Sequence, residues 1–280
     1  FIWTSFVKRG FENRFYSNQN YKLSSLQYMK EFNDFADKYD NDNYQLNKKN
    51  VLIVGNSHAV NLLNILTQTS LVEDYYFNIV GPKERKGNNY QVRYFYEFLA
   101  NNKALIDGNY KNFINHLKKQ YNKSDIVILH ALWNELDIET IDDINEFLIR
   151  DKKKLIVFDN SLYNTVKLSY LFNRLDYFVY TNQRLPNKDE LIDIERILYT
   201  DLKNKRDTNQ KIKKITSKNN IRLINMKNIN CIVKEKRCPV ITENGFKIYW
   251  DYGHYTREGA RYFAENFEKN VKLMNFLNFD

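Results

Sequence analysis

The chain has 280 residues, of which 43% are hydrophobic and 15% aromatic, so it can bury a substantial core and extended disorder is not expected. Forty-three basic and 34 acidic residues give a net charge of +9, with lysines spread along the chain as on solvated helix faces. Attraction to an acidic glycan or an anionic membrane surface is the alternative explanation of this excess. Nucleic acid binding is not indicated, because no ribonucleoprotein signature, glycine-rich basic repeat or zinc pattern accompanies the charge.

The predicted elements begin with a polar, aromatic-rich segment, residues 1–48, whose pattern is rather helical. It is expected to be an extension, or a linker from an upstream membrane region, that precedes the folded domain 49–280. Apolar runs typical of buried strands follow at 51–55, 75–81, 125–132, 154–159, 177–181 and 221–226. Segments with helical spacing lie between them at 59–66, 110–121, 141–151 and, as one or two exposed helices, 186–218.

Strands that alternate with amphipathic helices predict a parallel sheet covered on both faces. The predicted fold class is therefore α/β, a three-layer α/β/α sandwich with a mainly parallel central sheet. No run of about 18 uninterrupted apolar residues predicts a spanning helix. The chain starts FIWTSF without an initiator methionine, as expected of a fragment or processed product, which leaves room for a membrane region upstream.

The stretch GNSH (55–58) places Ser57 where the first buried strand meets a helix. Ligands of open parallel sheets bind beyond the carboxyl ends of the strands, so Ser57 is expected at that edge. The first turn of the following helix offers free backbone N–H groups that can stabilise an oxyanion. A serine in this position can equally be a helix N-cap.

Near the other end, Asp251 and His254 stand three residues apart in WDYGHYTREGARYFAENF (250–267). A carboxylate so placed can accept the Nδ1 proton of the histidine and leave Nε2 free as a general base for Ser57. Alone, the pair would also fit a helix-capping loop, but together with Ser57 it favours a catalytic triad. The helix that follows is expected to bury a face formed by Ala260, Phe263, Phe267 and Val271.

The two cysteines, Cys231 and Cys238, enclose the short polar stretch IVKEKR. This spacing suits a local disulfide that braces a hairpin or loop, contributing roughly 2–3 kcal/mol in the chain-entropy model. Free thiols in a reducing compartment are the alternative. A zinc site is not indicated, because no second Cys or His pair lies nearby.

These motifs resemble those of the SGNH (GDSL-like) hydrolase superfamily, whose fold is flavodoxin-like. Gly55-Asn56-Ser57 matches its Gly-Asp-Ser motif, and Asp251 to His254 matches its Asp-x-x-His motif. Within the superfamily, the sequence most resembles the SGNH domain fused to acyltransferase family 3 membrane proteins, which O-acetylate cell-surface polysaccharides. The segments that carry this similarity are GNSHAVNLL, DIVILHALW, and CPV followed by WDYGHYTREGA. The resemblance covers about residues 48–275.

The resemblance implies that Ser57 is the nucleophile, His254 the general base and acid, and Asp251 the residue that orients the histidine. Asn56 stands where the family has Asp, so it keeps a hydrogen-bonding side chain without the charge and is expected to support the turn. His58 is expected to pack beside the nucleophile in a structural role.

The oxyanion hole is less clearly marked by the motifs. The family's second motif contributes a glycine N–H, for which VGPKERKGNNYQ offers Gly81 or Gly87, with Gly87 taken as the candidate. The third motif, Gly-x-Asn-Asp, is not present as such. In HALWNELD, Asn134 is the candidate amide donor and Trp133 a candidate supporting residue.

The function implied is an O-acyltransferase that acetylates cell-envelope polysaccharide through an acyl-serine intermediate. Its partners would be a glycan acceptor, an acyl donor and an upstream membrane acyltransferase domain, at the periplasmic or extracytoplasmic face of a bacterial membrane. No cofactor or metal is expected.

Two other interpretations stay open at this stage, and a third is disfavoured. A carbohydrate O-acetyl esterase would use the same triad, and a noncatalytic glycan-binding module would explain the missing Gly-x-Asn-Asp motif. An α/β-hydrolase is disfavoured, because the first clear strand already carries Ser57 and an Asp stands only three residues before the histidine. Trp133, Trp250 and Tyr255 suit either sugar stacking or the core.

Overall fold

The computed structural model describes residues 25–41, 44–45, 47–80, 91–101, 111–160, 173–201 and 206–279. Five strands of this part form one parallel sheet: β1 (Lys49–Val54), β2 (Tyr75–Ile79), β3 (Ile126–His130), β4 (Lys154–Phe158) and β5 (Arg222–Ile224). The strand order is β2-β1-β3-β4-β5, and every pairing is parallel. The predicted α/β class with a parallel central sheet is therefore confirmed.

The α-helices of the described ranges connect and cover these strands. In chain order they are α1 (Ser25–Tyr39), α2 (Ser57–Leu66), α3 (Gln91–Leu99), α4 (Lys111–Lys123), α5 (Glu135–Glu139), α6 (Ile141–Arg150), α7 (Arg174–Asn182), α8 (Lys188–Asp201), α9 (Arg206–Lys218), α10 (Lys227–Asn230), α11 (Arg257–Glu268) and α12 (Val271–Met274). Helices α2, α4 and α6 lie in the segments predicted as helical, and the charged stretch beyond residue 186 forms α8 and α9.

The sheet carries a hydrophobic core on each face, because successive side chains of a strand point in opposite directions. From β1, Val51 and Ile53 pack on the face covered by α1, α2, α7, α8 and α11. Leu52 and Val54 pack on the face covered by α3 to α6 and α9. All four side chains are buried, which explains why β1 is an uninterrupted apolar run.

The strand predicted at 177–181 is wrong, since this stretch belongs to helix α7. The side chain of Asn173 accepts a hydrogen bond from the backbone N–H of Asp176 at 2.9 Å and so caps the helix. Leu175 and Val179, four residues apart, both point into the core. The β-branched and aromatic residues favoured a strand, but the cap and this helical spacing decide the structure.

The predicted apolar face of the helix after Asp-x-x-His is right except at its end. Ala260, Phe263 and Phe267 are fully buried in α11, which ends at Glu268. Val271 instead begins α12 and is 71% exposed. Asn270 caps that new helix, so the chain turns away before Val271 can join the face.

Helix α1 comes from the segment predicted to be an extension, and it packs on the same core as the sheet. Phe32 is 8% exposed and Ala36 is fully buried there. Residues 1–24 lie outside the described ranges, and the domain boundary at 48 stays a prediction. Within those ranges, no helix combines the length and apolarity needed to cross a bilayer.

Candidate active site

The junction of β1 and α2 sets the position of Ser57. Gly55 lets β1 end against β3, since a Cβ there would lie 1.8 Å from the carbonyl oxygen of His130. Asn56 is the N-cap of α2: its Oδ1 accepts from the N–H of His58 at 3.0 Å and from that of Leu132 at 3.2 Å. The cap is therefore Asn56 and not Ser57, whose hydroxyl is left out of capping and is partly exposed.

Asp251 and His254 form a buried pair in the loop before α11. Asp251 Oδ2 lies 2.6 Å from His254 Nδ1, and Oδ1 accepts from the backbone N–H groups of Gly253 and His254 at 2.9 and 2.8 Å. Both residues are less than a tenth exposed. Thr256, not Asp251, caps α11 through the N–H of Gly259, so the pair is not a helix cap.

The other ring nitrogen of His254 is available. Its Nε2 is buried and has no hydrogen-bond partner among the described residues. An imidazole whose Nδ1–H is held by a carboxylate presents Nε2 as an acceptor, which is the state required of a general base. A buried ring nitrogen without a partner is costly in a core, and it is expected where a substrate or nucleophile completes the contact.

The His254 loop lies against the first turn of α2. The ring of His58, the residue after Ser57, is centred 5.8 Å from the ring of His254. No hydrogen bond joins Ser57 to His254 in the part of the chain that is described. Such catalytic contacts are often long without substrate and shorten in the reacting complex.

Aromatic rings surround the His254 imidazole. Trp250 stacks on it with centroids 5.1 Å apart and planes 19° apart, while Phe32 of α1 and Tyr252 meet it edge-on at 5.2 and 5.5 Å. These contacts fix the orientation of the ring and restrict the access of water to it. Phe32 was missed by the sequence argument, which assigned its helix to an extension.

The candidates for the oxyanion hole differ in whether the structure describes them. Gly81 and Gly87 lie outside the described residues. Asn134 caps α5, where its Oδ1 accepts from the N–H of Asp137 at 3.0 Å and its Nδ2 donates to that carboxylate at 2.6 Å. Asn134 is thus engaged within the protein, and its role as oxyanion donor stays a prediction. The backbone N–H groups at the start of α2 are the donors nearest to Ser57.

The aromatic residues considered for sugar stacking are part of the packed interior. Trp133 is 5% exposed and donates its indole N–H to the carbonyl of Phe158 at 2.8 Å. Tyr255 is 2% exposed, and its hydroxyl donates to Asn230 Oδ1 at 3.0 Å. Trp250 stacks on His254 and is also buried. None of the three presents an open ring face to a glycan.

Three ionisable groups are buried in or beside β3, β4 and α5: His130 ends β3, Asp159 follows β4 and Asp137 lies in α5. Burial lowers the pKa of His130 to about 4, so this histidine is neutral at pH 7. Burial raises the pKa of Asp137 to about 6 and that of Asp159 to about 7. Asp159 accepts the N–H of Met226 at 2.7 Å and so links β4 to the residues after β5.

Cys231 and Cys238 are joined by a disulfide. The loop that it closes is tied to α8, because the N–H of Cys238 donates to the carbonyl of Glu195 at 3.1 Å and the guanidinium of Arg237 to its carboxylate at 2.8 Å. Among the described residues, no cluster of three or more His, Cys, Asp or Glu side chains could hold a metal ion.

A cavity of about 460 Å³ lies between α1, α2 and the first turn of α11. Phe32 and Tyr255 belong both to its wall and to the surroundings of His254. Ser57 and His254 do not line it, and the ring of Phe32 stands between the cavity and the imidazole. The cavity is therefore a neighbour of the candidate site and not its centre.

An all-parallel α/β/α sandwich with a serine after β1 and an Asp-x-x-His loop before α11 has the arrangement of the SGNH superfamily. The family model for the SGNH domain fused to AT3 domains matches residues 28–269, and the chain belongs to this family. Among solved structures it is similar to the periplasmic domain of the lipopolysaccharide acetyltransferase of Salmonella ser. Paratyphi A. The sequences are 14% identical, 91% of this chain and 100% of that chain are covered, and the TM-score is 0.52, a similarity of fold. No curated protein matches the chain.

Proposed function

We propose that the chain is the acyl-transferring domain of a cell-envelope O-acyltransferase, with Ser57, His254 and Asp251 as its catalytic triad. The observation that carries the proposal is the buried Asp251–His254 pair, whose unpartnered Nε2 belongs to a loop against the start of α2. Membership of a family fused to AT3 domains supports acyl transfer, as does the fold shared with an acetyltransferase domain.

In the first half-reaction, the Oγ of Ser57 attacks the carbonyl carbon of the acyl donor and its proton passes to Nε2 of His254. The N–H groups of the first turn of α2 face the oxyanion that forms. The leaving group then departs with the proton from His254, which leaves an acyl-serine. Asp251 stabilises the imidazolium during this step through its contact with Nδ1.

In the second half-reaction, a sugar hydroxyl gives its proton to Nε2 of His254 and attacks the acyl carbon. Collapse of this second tetrahedral intermediate returns the proton to Ser57 and releases an O-acylated glycan. Water in place of the hydroxyl would give hydrolysis with the same residues, so a carbohydrate O-acetyl esterase is the second candidate. Exclusion of water by the rings around His254 favours transfer.

The setting of the domain is part of the proposal. The family description supports an upstream membrane acyltransferase region as the partner that supplies the acyl group. A disulfide between Cys231 and Cys238 suits an oxidising compartment such as the periplasm. The glycan acceptor would then be a cell-envelope polysaccharide or lipopolysaccharide on that side of the membrane.

The test is acetyl release from p-nitrophenyl acetate, with and without an oligosaccharide acceptor, for the intact protein, Ser57→Ala and the matched control Ser70→Ala. We expect turnover in the intact protein and in the control, loss in Ser57→Ala, and acetylated sugar among the products. Acetate alone as product would favour the esterase. No turnover and no labelling of Ser57 by a fluorophosphonate, in a folded protein, would overturn the proposal in favour of a glycan-binding module.

A further inference from the structure

Asn61 joins helix α2 to the loop that carries His254. Its Nδ2 donates to the carbonyl oxygen of Gly253 at 2.8 Å, and its Oδ1 accepts from the N–H of Tyr255 at 3.1 Å. The side-chain amide therefore bonds the main chain on both sides of His254. These two hydrogen bonds connect α2 directly to the main chain of that loop.

Asn61 also has a fixed relation to Ser57. It lies four residues later on the same helix, so the two side chains share a face and are separated by about 6 Å along the axis. An α-helix of this length is rigid, and both side chains move with it. Asn61 thus connects the His254 loop to Ser57 through one side chain and one turn of helix.

The environment shows that this amide is not an ordinary solvated asparagine. Asn61 is fully buried in an apolar helix, between Val60 and Leu62, which are also fully buried. A polar side chain is tolerated there because both ends of its amide are hydrogen-bonded. An apolar residue would leave the Gly253 carbonyl and the Tyr255 N–H unpaired inside the protein.

We propose that Asn61 is a positioning residue, which holds His254 Nε2 at the distance from Ser57 that proton transfer requires. The inference rests on the proposed function of Ser57 and His254. Asn61 itself touches no reacting atom and acts through the loop backbone. Asn61 lies beyond Gly55-Asn56-Ser57, the part of GNSHAVNLL that matches the catalytic motif.

The first experiment compares Asn61→Ala with Asn64→Ala, a control of the same residue type on the next turn of α2, whose side chain bonds Gln68 and not the loop. We expect kcat for p-nitrophenyl acetate to fall about 100-fold in Asn61→Ala, with KM nearly unchanged, because displacement of a catalytic group by about 1 Å costs this much. The Asn64→Ala variant should keep both constants. Equal kcat values in the two variants, or a rise in KM alone, would overturn the proposal.

A second readout does not depend on turnover. The Nδ1–H of His254, bonded to Asp251, is expected to give a downfield proton NMR resonance, which Asn61→Ala should broaden while Asn64→Ala and Ser57→Ala retain it. If the intact protein has no activity but the resonance broadens only in Asn61→Ala, the proposed function fails and the positioning of His254 by Asn61 stands. A sharp resonance in Asn61→Ala would overturn the inference whatever the activity.

Discussion

At the scale of single residues, capping of α2 and the candidate catalytic role belong to two different residues, Asn56 and Ser57. Asn56 accepts from the N–H of His58 and from that of Leu132, so it both caps the helix and ties β1 to the residues after β3. Ser57 is thereby released from capping. An aspartate in place of Asn56 could accept the same two bonds, which explains how the family pattern and this chain reach one geometry.

The contact between Asp251 and His254 leads to a prediction for Asp251→Asn. The amide would keep a hydrogen bond to the ring but favour the wrong tautomer and could not stabilise the imidazolium. We expect kcat to fall by about 10⁴-fold with KM little changed. Kinetics with p-nitrophenyl acetate measure the effect, and Asp193→Asn, whose side chain is exposed on α8, is the matched control. A loss of less than tenfold would remove Asp251 from the triad.

The buried carboxyl of Asp159 predicts a pH dependence of stability. Its pKa is raised by burial to about 7, above the value of an unfolded aspartate, so the folded state binds the proton more tightly. The penalty for ionising Asp159 is therefore absent below about pH 4 and complete above about pH 7.

Asp159→Asn should remove this penalty, since its amide oxygen can still accept the N–H of Met226. We expect the free energy of unfolding of the variant to exceed that of the intact protein by on the order of 2–4 kcal/mol at pH 8. The difference should be much smaller at about pH 4.5. Thermal unfolding at both pH values measures it. A gain independent of pH would show that Asp159 is already ionised in the fold.

The sequence was sufficient for the candidate triad residues but not for their supports. Ser57, Asp251 and His254 stand out because each follows or precedes an element boundary that periodicity marks. Asn61 gave one signal, a polar residue within the apolar helix AVNLLNIL. Its partners are main-chain atoms 192 and 194 residues away, and backbone groups carry no sequence signature.

At the scale of elements, α7 shows where strand propensity misleads. The stretch 177–181 is rich in residues that favour strands, yet Leu175 and Val179 are spaced for a helix and Asn173 supplies its cap. Local propensity in five residues is a weak signal compared with burial of a helical face. The five observed strands, by contrast, lie in apolar runs that are bounded on both sides by turn signals and buried helices.

Helix α7 is also tied to the segment that leads to the candidate site. Asp176 of α7 pairs with Lys247 at 2.5 Å, and both side chains are less than a tenth exposed. The residues after Lys247 run directly to Trp250 and Asp251. The ion pair therefore fixes the approach to the Asp-x-x-His loop.

Removing Lys247 should leave the buried carboxylate of Asp176 without its partner. We therefore expect Lys247→Met to lower the free energy of unfolding by about 3–5 kcal/mol. The double variant Asp176→Asn with Lys247→Met should recover part of the loss, because a neutral amide is less costly to bury than a carboxylate. Lys211→Met breaks an exposed pair with Glu135 and should cost less than about 1 kcal/mol. Chemical denaturation measures all three, and equal losses for the two lysines would contradict the buried pair.

At the scale of the whole molecule, the two faces of the sheet differ in what they hold. On the face of α3 to α6 and α9, the candidate supporting residue Trp133 is part of the core and the candidate donor Asn134 caps α5. The opposite core includes α1, α2 and α11, and these three helices also supply or flank the candidate site. Helix α1 is thus part of both the hydrophobic core and the enclosure of His254, through Phe32.

This double role predicts the effect of shortening the chain. A protein of residues 48–280, which starts at the boundary predicted from the sequence, lacks Phe32 and Ala36 and exposes the surface that they cover. Loss of one buried phenylalanine costs about 3–5 kcal/mol, so we expect this form to unfold at a clearly lower temperature than residues 20–280. It should also lose esterase turnover, since the edge of His254 then faces water.

Phe32→Ala in the full chain separates the two effects, because it removes the ring and keeps the helix. We expect it to lower stability by about 3 kcal/mol or more and to lower kcat in the fraction that stays folded. Thermal unfolding and turnover of the three proteins decide the matter. If residues 48–280 were as stable and active as residues 20–280, α1 would be the linker that its sequence suggests. A less stable form without turnover would place the start of the folded unit before residue 32.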